Sequence, residues 1–280
     1  MFAGLTFPLG NGGSNVFTSD FELLRSPVYS LGANLKLNPR SYVSLSLSNS
    51  FGSTPATHLL TTPLQDSFNY SLSLSYFPDL LDSPHLPFTD RQLLLANSGL
   101  FVSSGVLPPE NSFSISIGTT MKRNLYTSLG YSLSNQILFR FDNIWIDHSG
   151  SLSSDVSTAF FDDDSIGSTI STSFNFFSPL RGSPFWSSAT LAFGRNSYIS
   201  DTSPLGFSFL SLDNTFEFSN DFAFSVNPKF LVSGFGILSG VGFTANFPFF
   251  GEFEFIPGLN LVYDNSDFTQ SNISASVLWR

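Results

Sequence analysis

The chain has 280 residues, of which only 11 % are charged, and 34 are Phe against 2 Met and 3 Trp. It carries a net charge of −10 and no Cys, which excludes disulfides and thiolate metal sites and speaks against a nucleic-acid binder, whose footprint is a basic stripe. Charge is well under the roughly 25 % of a soluble domain, yet mean hydropathy is only +0.14, because Ser, Thr, Asn and Gly fill alternate positions.

In chain order, the first predicted strands are Ala3 to Leu9 and Val16 to Leu24, joined by the turn residues Asn11-Gly12-Gly13-Ser14-Asn15. Tyr29 to Leu37 and Tyr42 to Phe51 form a hairpin around Asn38-Pro39-Arg40-Ser41, with Tyr29 and Phe51 at the same open end. Gly52 to Asp66 is irregular. Phe68 to Tyr76 is the next strand, with an aromatic near each end. Phe77 to Gln92 holds Pro78, Pro84 and Pro87, so it is no central strand. It is an external loop or a segment folded into a lumen, and folding inward as a constriction is the expectation. Leu93 to Ser103 is a strand of poorer pattern. Ser112 to Met121 and Leu125 to Ser134 make a tight hairpin around Lys122-Arg123-Asn124, and Gln136 to Ile146 follows almost without a break.

In the second half the predicted strands are Leu152 to Phe161, Ile166 to Phe176, Phe185 to Arg195, Leu205 to Leu212, Asn214 to Val226, Phe230 to Leu238, Val241 to Phe247, Glu252 to Ile256 running on towards Tyr263, and Asn272 to Arg280. Turn-like clusters separate them at Asp162-Asp163-Asp164, Ser178-Pro179, Asn227-Pro228 and Pro257-Gly258.

The rhythm within these strands sets the fold class. In Tyr29-Ser30-Leu31-Gly32-Ala33-Asn34-Leu35-Lys36-Leu37 every odd position is apolar, and Phe68-Asn69-Tyr70-Ser71-Leu72-Ser73-Leu74-Ser75-Tyr76 and Phe113-Ser114-Ile115-Ser116-Ile117-Gly118 repeat it. A period of two puts alternate side chains on opposite faces. Strands of about nine or ten residues cross a bilayer at a tilt, and no run approaches the roughly 18 apolar residues of a membrane helix. The expectation is an all-β, closed antiparallel transmembrane β-barrel of about 16 strands, within a range of about 14 to 18, forming one domain over residues 1–280. A soluble sandwich would carry Lys, Glu and Arg on its polar face. A soluble β-solenoid needs a regular repeat, which the irregular turn spacing lacks. Phe207-Ser208-Phe209 beside Phe216-Glu217-Phe218 would invite aggregation as a soluble edge and is expected to face hydrocarbon.

The last residues, Ile273-Ser274-Ala275-Ser276-Val277-Leu278-Trp279-Arg280, resemble the terminal strand of Gram-negative outer-membrane β-barrel proteins, which alternates and closes on an aromatic residue. In that family the aromatic is usually the final residue and usually Phe; here Trp279 is penultimate. The resemblance implies residence in the outer membrane of a Gram-negative-type bacterium, a lipid bilayer as partner, and the barrel-assembly machinery as partner during insertion. Such a protein needs a leader. Met1-Phe2-Ala3-Gly4-Leu5 shows none, so the chain is expected to be a mature or truncated form, or to have a misassigned start.

Charges flanked by outward aromatics are candidate pore-lining residues. In Phe139-Arg140-Phe141-Asp142 the Phe residues would face lipid and Arg140 and Asp142 the lumen; Glu217, Glu252 and Glu254 follow by the same logic, and Lys36 joins them. Rings of charge set ion preference in water-filled pores. Alternatively these residues pair and only stabilise a plugged or narrow lumen. Asp162-Asp163-Asp164 lacks the spacing of a calcium loop and reads as a solvated acidic loop. His58, His85 and His148 form no ligand cluster, and neighbours on a strand such as Asp147-His148-Ser149 point to opposite faces and make no triad. No cofactor, metal or enzymatic activity is expected. The functional expectation is a passive porin-like channel for small solutes or ions, with homo-oligomerisation possible. The alternative is a non-conducting barrel that anchors, or serves as the outer-membrane component of, an export or assembly system.

Overall fold

The computed structural model describes residues 2–9, 16–17, 23–24, 28–38, 40–49, 68–77, 92, 104–120, 125–145, 166–179, 182–197, 205–219, 222–233, 236–249, 253–264 and 271–279. The strands are β1 (Phe2–Leu9), β2 (Val16–Phe17), β3 (Leu23–Leu24), β4 (Val28–Asn38), β5 (Ser41–Ser48), β6 (Asn69–Tyr76), β7 (Phe113–Thr120) and β8 (Leu125–Ser134). They continue with β9 (Ile137–Trp145), β10 (Ile166–Phe177), β11 (Phe185–Ser197), β12 (Leu205–Ser219), β13 (Phe222–Ser233), β14 (Gly236–Phe249), β15 (Phe253–Asp264) and β16 (Ser271–Trp279).

Fourteen of these pair antiparallel in succession as a barrel, and β1 lies between β4 and β16, so each strand has a neighbour on both sides. That lies at the lower bound of the expected range of about 14 to 18, two below its central figure. The stretch predicted as one strand from Val16 to Leu24 instead holds the short β2 and β3, which pair only with each other. The predicted strands Leu93 to Ser103 and Leu152 to Phe161, and the Asp162-Asp163-Asp164 cluster, lie outside the described residues.

The period of two is carried through the whole ring. Leu31, Leu45, Leu72, Leu74, Ile117, Leu129, Phe139, Phe141, Ile170, Phe193, Leu210, Phe230 and Leu261 are exposed on the outer face. An apolar surface of this extent on a soluble monomer would be far beyond the usual few hundred Å². The opposite face carries Ser, Thr, Asn and Gly. Serines oppose one another directly across the ladders, as Ser44, Ser73, Ser116 and Ser128 do along β5 to β8.

One end of the barrel carries three tight connections, at 39–40, at Asn135–Gln136 and at 220–221. Register shifts sit beside these turns at Lys36/Asn38, Ser132/Ser134 and Glu217/Ser219, as bulges do at barrel rims. We call this the turn end, where the long connection 77–112 also lies; the other, holding the connections 10–27, 49–68 and 146–165 and the short ones 121–124 and 234–235, is the loop end. Aromatics collect at the turn end. Phe177, Phe185, Phe216, Phe218 and Phe222 follow one another with ring centroids 5.1–6.3 Å apart.

Several predicted breaks are not breaks. β12 runs through Asp213, and β13 runs through Asn227-Pro228, with the turn between them at 220–221. Pro257-Gly258 likewise sits inside β15. Proline removes one ladder donor and is tolerated where a ladder can spare it. Opposite Pro228 the β12–β13 register passes from Ser211–Lys229 to Asn214–Val226 with no pair between, and opposite Pro257 the β14–β15 register passes from Thr244–Gly258 to Phe247–Phe255. The continuous β12 also corrects the expectation for Phe207 and Phe209. Phe209 is buried at 4 % exposure and shares its parity with buried Ser211, Asp213 and Thr215. It therefore points into the barrel, while Phe216 and Phe218 point out.

Candidate functional site: the barrel lumen

Arg140 and Asp142 occupy the inner face of β9, between outward Phe139 and Phe141. They form a salt bridge at 2.8 Å between Arg140 Nη2 and Asp142 Oδ1. Arg140 Nε also donates to Asp142 Oδ1 at 2.9 Å and to Ser128 Oγ at 3.1 Å, and Nη2 donates to the Tyr126 hydroxyl at 2.9 Å. That hydroxyl in turn donates to Asp142 Oδ1 at 3.0 Å. Asp142 is 1 % exposed. Burying a charge is costly unless it is paired and hydrogen-bonded, and β8, directly beside β9, supplies the Tyr126 donor to Asp142 and the Ser128 acceptor for Arg140.

A second cluster lies on β11 to β13. Asp213 Oδ1 accepts from Asn227 Nδ2 at 2.9 Å, and Oδ2 accepts from Ser211 Oγ at 2.9 Å. Lys229 shares the inner parity of Asn227, is 1 % exposed, and interacts electrostatically with Asp213. Its Nζ lies against Gly242, where a Cβ would stand 3.4 Å away. Sequence reasoning missed this cluster because it placed Asp213 and Asn227-Pro228 in breaks. The signal was present: Leu210, Leu212, Phe216 and Phe218 keep one parity across Asp213, and Val226, Phe230 and Val232 keep one across Pro228.

The other predicted lining residues are dispersed. Lys36 is exposed near the turn end of β4, its Nζ 5.6 Å from the Tyr42 ring centroid. Glu217, on the inner parity of β12, accepts from Gln92 Nε2 at 3.3 Å. Glu254 lies in β15 opposite Pro248 and Leu278. Glu252 is outside the described residues. Among the described side chains of these candidates, only Arg140 and Asp142 are brought into contact with each other. Of the segment Phe77 to Gln92, residues 78–91 lie outside the described residues. Phe77 is buried beside Tyr42, with ring centroids 5.6 Å apart.

A different segment crosses the lumen. Between Ser104 and Ser112 the chain enters from the turn end, with Val106 and Leu107 buried at 2 % and 5 % exposure. At one side Pro108 O accepts from Ser132 Oγ of β8 at 3.1 Å. At the other, Gly105 N donates to Thr215 Oγ1 of β12 at 2.9 Å, and Gly105 O accepts from Asn175 Nδ2 of β10 at 3.1 Å. A Cβ on Gly105 would fall 2.5 Å from Asp213 O and 2.9 Å from Trp186 O. Only glycine allows the segment to lie this close to the wall. Asn111 takes up the left-handed turn into β7 with φ 59°. Among the described residues no group of His, Asp and Glu could hold a metal ion, and His58, His85 and His148 lie outside them.

No family model matches the sequence, and no curated protein matches it. Among solved structures, the chain is similar to the outer-membrane protein Omp33 of Acinetobacter baumannii, at 14 % identity and a TM-score of 0.46, covering 100 % of this chain and 97 % of that one. It is also similar to outer-membrane OmpT of Vibrio cholerae, at 9 % identity and a TM-score of 0.45, over 100 % and 96 %. A third is the outer-membrane channel DcaP of Acinetobacter baumannii, at 10 % identity and a TM-score of 0.41, over 99 % and 94 %. At these scores no residue role passes from them to this chain.

Proposed function

We propose that the chain is a closed outer-membrane β-barrel that passes small solutes or ions passively between its two ends. The supporting observation is the two-faced wall. An apolar band with aromatic rings at the turn end surrounds an interior of hydroxyls, amides and paired charges, which is the arrangement a bilayer-spanning barrel requires. Rings of about sixteen strands hold water and rings of about eight are filled by side chains; a fourteen-stranded ring falls nearer the first case. Short turns mark the periplasmic end and long loops the outer end, so the segment 104–112 enters from the periplasmic side. Arg140, Asp142, Glu217 and Lys36 face the interior or its rim, with Glu252 and Glu254 proposed to join them.

The covered wall behind Gly105 and Leu107 favours a second reading, in which the barrel is occluded and serves as an anchor or an export component. Recording from purified full-length chain in a planar bilayer separates the two. Stepwise conductance, with a cation preference that falls on Glu217→Gln, supports the channel. A silent bilayer from protein that still migrates as a compact, heat-modifiable species overturns it.

A further inference from the structure

The two halves of the inner wall differ. On β10 to β13, Ser171, Ser173, Ser188, Ser211, Asn227 and Lys229 are all buried, at 0–8 % exposure. On β5 to β7 the equivalent inner positions Ser44, Ser46, Ser71, Ser73, Ser75 and Ser116 are half-exposed. The segment 104–112 lies on the first half, bonded to Asn175 and Thr215. The second half carries a largely serine inner face, with Gly32, Asn34, Asn69 and Gly118 at the same parity, in which Ser46 and Ser71 share a hydrogen bond. Among the described residues of β4 to β7 the one charged side chain is Lys36, at the turn-end rim. The buried charges stand elsewhere and have partners: Asp142 with Arg140, and Asp213 with Asn227 and Lys229.

Resting on the channel reading above, we propose that passage is off-axis, along the serine wall of β4 to β7, and that this wall admits uncharged, hydroxyl-bearing solutes such as small sugars in preference to ions. Serine hydroxyls donate and accept, so they replace the water that a sugar hydroxyl gives up. They offer no net charge, and an ion entering a narrow polar passage without a counter-charge loses hydration that nothing there restores.

The absence of cysteine makes the test direct, because one introduced thiol is the sole thiol. Ser44→Cys, Ser73→Cys, Ser171→Cys and Ser211→Cys are each made in the full chain, reconstituted in liposomes, and exposed to a water-soluble cationic methanethiosulfonate. Ser44→Cys and Ser73→Cys are expected to react at least about tenfold faster than the other two. In the same liposomes, osmotic swelling in a neutral pentose should outrun swelling in a charged sugar acid of similar size. Ser73→Asp should shift that preference at least about threefold towards a sugar amine, while Asp213→Asn leaves it unmoved. Equal labelling on both walls with swelling intact overturns the off-axis passage alone. A preference that follows Asp213→Asn overturns the neutral-solute assignment. Labelling confined to the serine wall with no swelling in any solute overturns the channel reading itself.

Discussion

Asp142 and Arg140 show how a charge survives inside this wall. The carboxylate at 1 % exposure has the guanidinium at 2.8 Å and the Tyr126 hydroxyl at 3.0 Å; the first comes from its own strand, and the second would be out of reach if β8 and β9 slipped by one residue. Asp142→Ala removes the acceptor from three donors while Tyr126 stays buried. It is expected to lower the unfolding free energy in lipid vesicles by about 1–3 kcal/mol, read from urea titration of Trp fluorescence. Tyr126→Phe deletes a hydroxyl that links both partners and should cost about 1 kcal/mol. Arg140 and Asp142 were legible as inward residues because their neighbours are Phe. Their mutual pairing was not, since residues two apart on a strand share a face without being obliged to touch. The clustering of Asp213 with Asn227 was hidden altogether, because it needs the β12–β13 register.

At the scale of the element, the decisive piece is the segment 104–112. Its hold on the wall depends on Gly105, whose backbone occupies space that a side chain would need. Gly105→Leu is expected to displace the segment from Trp186 and Asp213 and raise single-channel conductance at least about twofold, measured in the same planar bilayer as the parent chain; an unchanged conductance would show that the segment does not limit flow. The strands offer a sharper comparison. Leu72 and Ser73 are adjacent on β6 but face opposite ways, Leu72 50 % exposed on the outer side. Leu72→Arg should cost about 2–4 kcal/mol of stability in lipid, as a cation does on the lipid face near the midplane. Ser73→Arg, projecting into the polar interior, should cost far less. Comparable losses for the two would contradict the assignment of faces. This alternation was readable without coordinates because a period of two needs only the order of residues. The inward course of Ser104 to Ser112 had no such mark: Gly105-Val106-Leu107-Pro108-Pro109 reads as an ordinary apolar loop.

At the scale of the whole molecule, every barrel strand has a partner on each side, and β1 joins β16 over Phe2–Leu9. A ring of this kind leaves no free edge, so unzipping must break two ladders for each strand lost. The folded protein is expected to keep a compact, fast-migrating form in detergent gels at room temperature and to convert to the slower form only on heating. Migration at the unfolded position before heating would argue against a complete ring in the membrane. Strand number was the global property least accessible from sequence. Val16 to Leu24 has the apolar content of a strand, yet its described residues form β2 and β3, outside the ring. Asp213, Asn227-Pro228 and Pro257-Gly258 look like breaks but are carried within strands, because neighbouring ladders tolerate a missing donor.

The amino-acid order alone determined that this chain is all-β, that one face of each strand is apolar and the other small and polar, and where the hairpins of β4–β5, β7–β8 and β8–β9 turn. These are local matters, settled by side-chain period and turn chemistry. Only the tertiary structure decided how many strands enter the ring, which inward charges meet, and that residues 104–112 bond to the inner wall at Ser132, Asn175 and Thr215 while the serines of β5 to β7 stay half-exposed. Those outcomes depend on register and on contacts between residues far apart in the chain, such as Gly105 with Thr215, 110 positions away, and no local pattern specifies a partner at that distance.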